Sequence, residues 1–176
     1  MTYTQTYDSP LGGILLAADA QGLNGLWFQD AKHAAAGLPA ARREEATPVL
    51  TAAKRWLDTY FAGRVPPEPP PLHLTGSSFR QQVWALLLQI PYGQTVTYGA
   101  LARQLAQARG GAVSARAVGG AVGRNPVSLM VPCHRVVGTG GSLTGYAGGL
   151  ARKVWLLTME GADMSRFFVP ENGPAR

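Results

Sequence analysis

Cys133 is the only cysteine of the chain and stands in the run Val131-Pro132-Cys133-His134-Arg135-Val136-Val137. No second thiol is available for an intrachain disulfide, and metal sites built on cysteine use two or more thiolates. A lone cysteine is commonly a small buried hydrophobe. The neighbours here argue for a nucleophile instead. Pro132 restricts the backbone approach, and His134, Arg135 and a nearby acid make a setting that favours thiolate over thiol. A thiolate suits attack on a soft carbon electrophile. Imidazole is the common side chain whose ordinary pKa lies near neutrality, so it is the natural acceptor for the thiol proton.

A second chemically suggestive stretch precedes the cysteine. Residues 115–124 read as a helix carrying Gly119, Gly120 and Gly123, each costing about 1 kcal/mol against alanine in a helix interior. A missing Cβ lets a helix backbone lie close against a large surface. With Arg116 and Arg124 flanking it, that surface is expected to be a nucleic-acid groove; the alternative is tight packing against another helix. So few side chains are poorly equipped to read base edges in the major groove and better suited to the minor groove.

The elements that must position these residues follow from pattern and punctuation. At 176 residues the chain is long enough for one domain or two small lobes. The net charge of +6 fits a polyanionic partner and fits a generic basic surface equally well. The first residues lack the pattern of a signal peptide, and no apolar run approaches membrane-spanning length. A single cysteine suits a reducing compartment, so the expected location is cytoplasmic, without membrane attachment.

The first 30 residues read as a three-stranded meander, with turns at Ser9-Pro10-Leu11-Gly12 and Asp19-Ala20-Gln21-Gly22. Residues 31–46 carry no clear pattern. Thr47-Pro48 caps and starts a helix with Val49, Leu50, Ala53, Trp56, Leu57, Tyr60 and Phe61 at helical spacing. The proline run Val65 to Pro71 is a semi-rigid spacer. Beyond it, helices are expected from Ser77 or Ser78, from Thr97 and from Ser114, the last two forming a helix-turn-helix. A glycine-rich hairpin over 138–149 and a final helix near Leu150 complete the reading. The expected architecture is α+β: a sheet-and-helix lobe over 1–64, a linker over 65–75, a winged helix-turn-helix-like domain over 76–165, and a tail over 166–176.

Pro132-Cys133-His134-Arg135-Val136-Val137 resembles the active-site motif of the 6-O-alkylguanine-DNA alkyltransferases, or methylated-DNA–protein-cysteine methyltransferases. The resemblance extends to Phe79-Arg80-Gln81-Gln82-Val83-Trp84, Ile90-Pro91-Tyr92-Gly93, Arg116 to Val122, Asn125-Pro126 and Leu143 to Gly149, in the family's order. It is strong over residues 77–161 and only an outline before them.

The resemblance implies single-use repair of 6-O-methylguanine, and of 4-O-methylthymine, in double-stranded DNA, with the base flipped out from the minor-groove side. Cys133 is then the alkyl acceptor. His134, acting through a water, is the base, and Glu160 orients it. Asn125 holds the active-site turn. Tyr98 meets the phosphate and donates toward the guanine ring, and Arg116 fills the vacated place in the stack. Tyr146, Gly148 and the backbone carbonyls of Cys133 and Val136 line the guanine pocket. From the texture of the glycine-bearing helix and the basic residues, and apart from the resemblance, Arg80 and Arg124 are expected to contact phosphate and Gly120 to face the groove. The damaged base lies inside the duplex, so extrusion is needed, and a mispairing base is cheaper to extrude.

Several members of that family hold zinc with cysteines and histidines in the N-terminal lobe; here no cysteine but Cys133 exists, so no metal and no cofactor are expected. The turn over 107–114 looks longer than in the shorter members, and Ala147 stands where some carry a serine. The protein is expected to act as a monomer, with cooperative binding along DNA left open. Three other readings compete: a lesion sensor that accepts no alkyl group, which would lack the cysteine; a cysteine hydrolase, which needs an oxyanion hole that nothing near Cys133 singles out; and a helix-turn-helix regulator.

Overall fold

The computed structural model describes residues 1–170; of the expected tail, 171–176 lie outside the described residues. The chain forms two compact units. One comprises Met1–Thr75 with Pro126–Met130, the other Gly76–Asn125 with the described chain from Val131 onward.

In the first unit, β1 (Thr2–Ser9), β2 (Gly12–Asp19) and β3 (Gly22–Phe28) form the expected antiparallel meander. The Ser9 hydroxyl closes the first turn, accepting from Leu11 N and donating to Gly12 O. A fourth strand, β4 (Arg42–Glu44), joins in parallel to β1, giving the sheet order β3-β2-β1-β4. The sheet is therefore four-stranded rather than three-stranded. All three β4 residues are exposed, so no hydrophobic alternation marks this strand.

Helix α1 (Pro48–Phe61) is capped by Thr47 Oγ1 and buries Leu50, Ala53, Trp56, Leu57 and Tyr60. It meets β1 through Lys54 to Gln5 and Tyr7 to Asp58, each 2.6 Å.

The outer edge of β3 is covered by two short parallel pieces. Leu23 exchanges hydrogen bonds with Pro71 and His73, and Leu26 with Pro126 and Ser128. Covering the edge in this way removes a template for further strand addition. The piece just upstream of the cysteine motif thus completes the first unit's sheet. Nothing in its residue pattern has the length of a strand.

The second unit holds α2 (Ser78–Leu87), β5 (Val96–Thr97), α3 (Tyr98–Arg109), α4 (Ala115–Gly123), β6 (Val136–Val137) and α5 (Leu150–Met159). Ser77, Thr97 and Ser114 cap α2, α3 and α4, as their positions predict. Helix α3 ends at Gly110, whose φ of 71° gives a left-handed stop. The Trp84 indole donates to Ala121 O at 2.9 Å and ties α2 to α4.

The expected glycine-rich hairpin does not form. Gly138 N closes onto Ser142 O, Gly140 and Gly141 adopt positive φ, and Leu143 N turns instead to Phe168 O. Meanwhile β6 pairs in parallel with β5, Val96 opposite Val136 and Thr97 opposite Val137. The glycines serve turns, and the pairing partners come from elsewhere in the chain. No helix of the described residues is long and apolar enough to cross a membrane.

Candidate active site

Cys133 opens a short 3-10 turn, Cys133–Arg135, closed by Cys133 N to Val131 O and Arg135 N to Pro132 O. The Asn125 side-chain amide donates to Val131 O at 2.7 Å, holding the segment that enters this turn. The β5–β6 register then sets the start of α3, and with it Tyr98, beside the residues that follow the cysteine.

His134 and Glu160 meet at 2.6 Å between Nε2 and Oε2, with both side chains fully buried. Arg135 clamps the same carboxylate, Nε to Oε1 at 2.8 Å and Nη2 to Oε2 at 3.1 Å. Its Nη1 donates to Ile90 O, and its guanidinium lies over the Tyr92 ring. Gly93 N donates to Glu160 Oε1. The Ile90-Pro91-Tyr92-Gly93 run thus cradles the acid. Gly93 has φ 77°, and a Cβ there would fall 2.9 Å from Glu160 O.

Burial alone would raise the Glu160 carboxyl, but hydrogen bonds and charges from His134 and Arg135 outweigh it and hold the group well below the usual carboxylate range. His134 is lowered, chiefly by burial, against the opposing pull of Glu160. The imidazole is therefore neutral at neutral pH. Because Glu160 accepts from Nε2, the lone pair falls on Nδ1, which suits it to take a proton.

Lys153 is a site residue that the sequence expectations lack. It is fully buried, and its ammonium donates to Val136 O at 2.5 Å and Thr144 O at 2.9 Å. Burial pulls its pKa down to about 8, while a Cys133 thiolate pushes it up. A signal for it exists: Lys153, Leu156 and Leu157 share the buried face of α5. A lysine on an apolar stripe at helical spacing is a buried charge in waiting.

Tyr146 is buried, with its ring edge-on to His134 and its hydroxyl without a hydrogen-bond partner among the described residues. A Cβ on Gly148 would lie 2.5 Å from the Tyr146 ring, so only glycine lets the ring tuck in. The Tyr98 hydroxyl donates to Gly145 O at 3.1 Å or Thr144 O at 3.3 Å. Burial first, and then the Cys133 charge, raise the pKa values of both tyrosines.

His134, Glu160 and Tyr146 form one cluster and Tyr98, Val136 and Lys153 another, the Cys133 charge acts on members of both, and Asn125 holds the segment that enters the Cys133 turn. Arg80, Arg116, Arg124 and Gly120 are exposed instead. Helix α4 turns Val118, Ala121 and Val122 inward, leaving Arg116, Ala117 and Gly120 outward. A Cβ on Gly120 would meet open space. The outward face of α4 is therefore nearly flat and bordered by arginine.

The family model described as "6-O-methylguanine DNA methyltransferase, DNA binding domain" matches residues 78–162. The one described as "6-O-methylguanine DNA methyltransferase, ribonuclease-like domain" matches residues 2–69. A methylated-DNA–protein-cysteine methyltransferase of Methanosarcina acetivorans is 41% identical over 160 residues, 91% of this chain and 99% of that protein. One from Mycobacterium leprae is also 41% identical, covering 91% of this chain and 93% of its own length. Among solved structures, Mycobacterium tuberculosis OGT in complex with DNA matches with a TM-score of 0.78 at 39% identity, over 94% of each chain. The α+β architecture and the likeness to a DNA-bound relative agree, and the chain belongs to the methylated-DNA–protein-cysteine methyltransferases, DNA-repair enzymes that move an alkyl group from DNA onto a cysteine.

Proposed function

We propose that Cys133 is the acceptor and that the substrate is DNA carrying 6-O-methylguanine, with 4-O-methylthymine as a second lesion. The observation that carries this reading is the fully buried His134–Glu160 pair directly after the thiol, clamped by Arg135. His134, through a water, takes the thiol proton. The sulfur attacks the alkyl carbon, an S–C bond forms as the C–O bond breaks, and the guanine ring regains a proton as it leaves. The thioether product has no ready route back to thiol, so each molecule acts once.

Lys153 supports the thiolate by its charge and fixes the Val136 carbonyl at the rim of the base pocket. Asn125 keeps the Cys133 turn in register. Tyr98 meets the phosphate and donates toward the guanine ring, while Tyr146 and Gly148 form the pocket wall. Arg116, on the outward face of α4, fills the stack after the base is flipped from the minor groove. Arg80 and Arg124 contact phosphate, and Gly120 allows close approach. No cofactor is used. The protein acts as a monomer in the cytoplasm.

DNA labelled in the methyl group of 6-O-methylguanine tests this reading. Label should appear on Cys133 at no more than one methyl per protein, with activity then lost. Label on another residue, or turnover beyond one equivalent, overturns the acceptor assignment. Cys133→Ala should abolish transfer and retain DNA binding.

A further inference from the structure

We infer that the Tyr98 hydroxyl latches the Thr144–Gly145 turn shut in the DNA-free protein and so gates access to Cys133. The inference deepens the reading above, adding a closed state to the same pocket. Tyr98 begins α3, and its phenol reaches the turn to donate to Gly145 O at 3.1 Å or Thr144 O at 3.3 Å. It lies close enough to Cys133 for a thiolate to raise its pKa. The one proton it can donate is therefore committed to the protein's own backbone.

The turn has a second tether. Lys153 Nζ holds Thr144 O from beneath at 2.9 Å. Gly145 is exposed with φ 68°, whereas the adjacent Tyr146 is 2% exposed and Cys133 5% exposed. The outer residue of the turn faces solvent, whereas the thiol is shielded. A hydroxyl that is to serve phosphate or guanine must first leave Gly145. DNA binding then opens the latch by offering Tyr98 better acceptors, and Lys153 keeps the base of the turn in place while its outer residue moves.

The chain's single cysteine makes the test clean. The rate of Cys133 alkylation by iodoacetamide, without DNA, is measured from pH 5 to 10 in the full-length protein and in Tyr98→Phe. The latch predicts a plateau about five-fold higher in the variant, the factor set by losing a net hydrogen bond worth about 1 kcal/mol. The midpoint of the pH profile should stay in place, because the gate changes access and not the thiol. Low urea should leave the rate unchanged, since local opening exposes little surface, whereas global unfolding is steeply urea-dependent.

Gly145→Ala is the second variant, because its Cβ would stand 3.2 Å from the Tyr98 oxygen. It should also speed alkylation. Equal plateau rates in wild type and both variants overturn the latch, as does an increase that comes entirely from a shifted midpoint. Failure of labelled methyl to reach Cys133 would instead sink the repair reading and leave the iodoacetamide result standing.

Discussion

Lys153 and Val136 are joined by a buried charge-assisted hydrogen bond, ammonium to backbone carbonyl at 2.5 Å, on the strand that leaves the Cys133 turn. The same ammonium holds Thr144 O and feels the thiolate of Cys133. Lys153→Met keeps the volume and removes the charge, so the thiol pKa should rise and transfer should slow by about ten-fold, or about 1.4 kcal/mol.

In the wild type the ammonium is lost as pH rises through about 8, and transfer should decline there. The variant should lack this limb. Between about 8 and the unfolded value near 10.4 the unfolded chain binds the extra proton. Lys153's contribution to stability therefore rises with pH across that window. Single-turnover rates and thermal melts across pH 6 to 10 check both statements.

Glu160 acts at the acid end of the pH range. Its carboxyl is held below the unfolded value of about 4.3 by His134 and Arg135. The stabilisation is full above that pH and is lost as pH falls toward the folded pKa. Glu160→Gln strands the Arg135 guanidinium in a buried site and should cost about 3 kcal/mol. Acid melts of the variant should also lose their steep pH dependence below about 4. At neutral pH the variant's folded fraction should transfer slowly yet bind DNA normally, measured by single-turnover transfer and anisotropy on one preparation. Equal transfer rates would remove His134–Glu160 from the proton path.

Much of this site is legible in the sequence. The Pro132-Cys133-His134-Arg135 run and the three helix caps are local chemistry, and local chemistry survives folding. The meeting of His134 with Glu160 needs α5 brought back onto the Cys133 turn, and only the family resemblance anticipates it. Lys153 is readable from the apolar face of α5 but has the residue type least expected there. Strand β4 and the Pro126–Ser128 piece are not legible at all. Each is short, and each owes its strand character to a neighbour's unpaired edge rather than to its own pattern. The glycine-rich hairpin fails for a related reason: positive φ at Gly140 and Gly141 fits many turns, and Phe168 supplies the partner that a hairpin would have.

Arg116 separates base extrusion from chemistry. It is exposed in the first turn of α4. Arg116→Ala should therefore leave stability within about 0.5 kcal/mol and leave the reaction with free 6-O-methylguanine base unchanged. Repair of the same lesion in duplex DNA should fall at least ten-fold, because the extruded state loses the side chain that fills the stack. Equal slowing of both reactions would remove the finger role. Suspicion would then fall on the long turn between α3 and α4, as the feature that sets where Arg116 stands.

Gly120 tests how α4 meets DNA. It lies on the outward face, and a Cβ added there meets open space in the free protein. Gly120→Leu should then fold normally and gain up to about 1 kcal/mol from helix propensity. On DNA, the isobutyl group would hold the helix backbone away from the groove, and affinity for undamaged duplex should drop at least ten-fold. If phosphate contacts by Arg80 and Arg124 supply most of the affinity, binding of the wild type should be nearly sequence-blind and fall steeply with salt. Arg124→Ala should lower the slope of log affinity against log salt by about 1. Fluorescence anisotropy between 50 and 200 mM salt, with thermal melts alongside, measures all of these. A salt-insensitive preference for one sequence would favour a regulator. A Gly120→Leu variant that melts normally and binds normally would show that the flat face of α4 is not the surface that touches DNA.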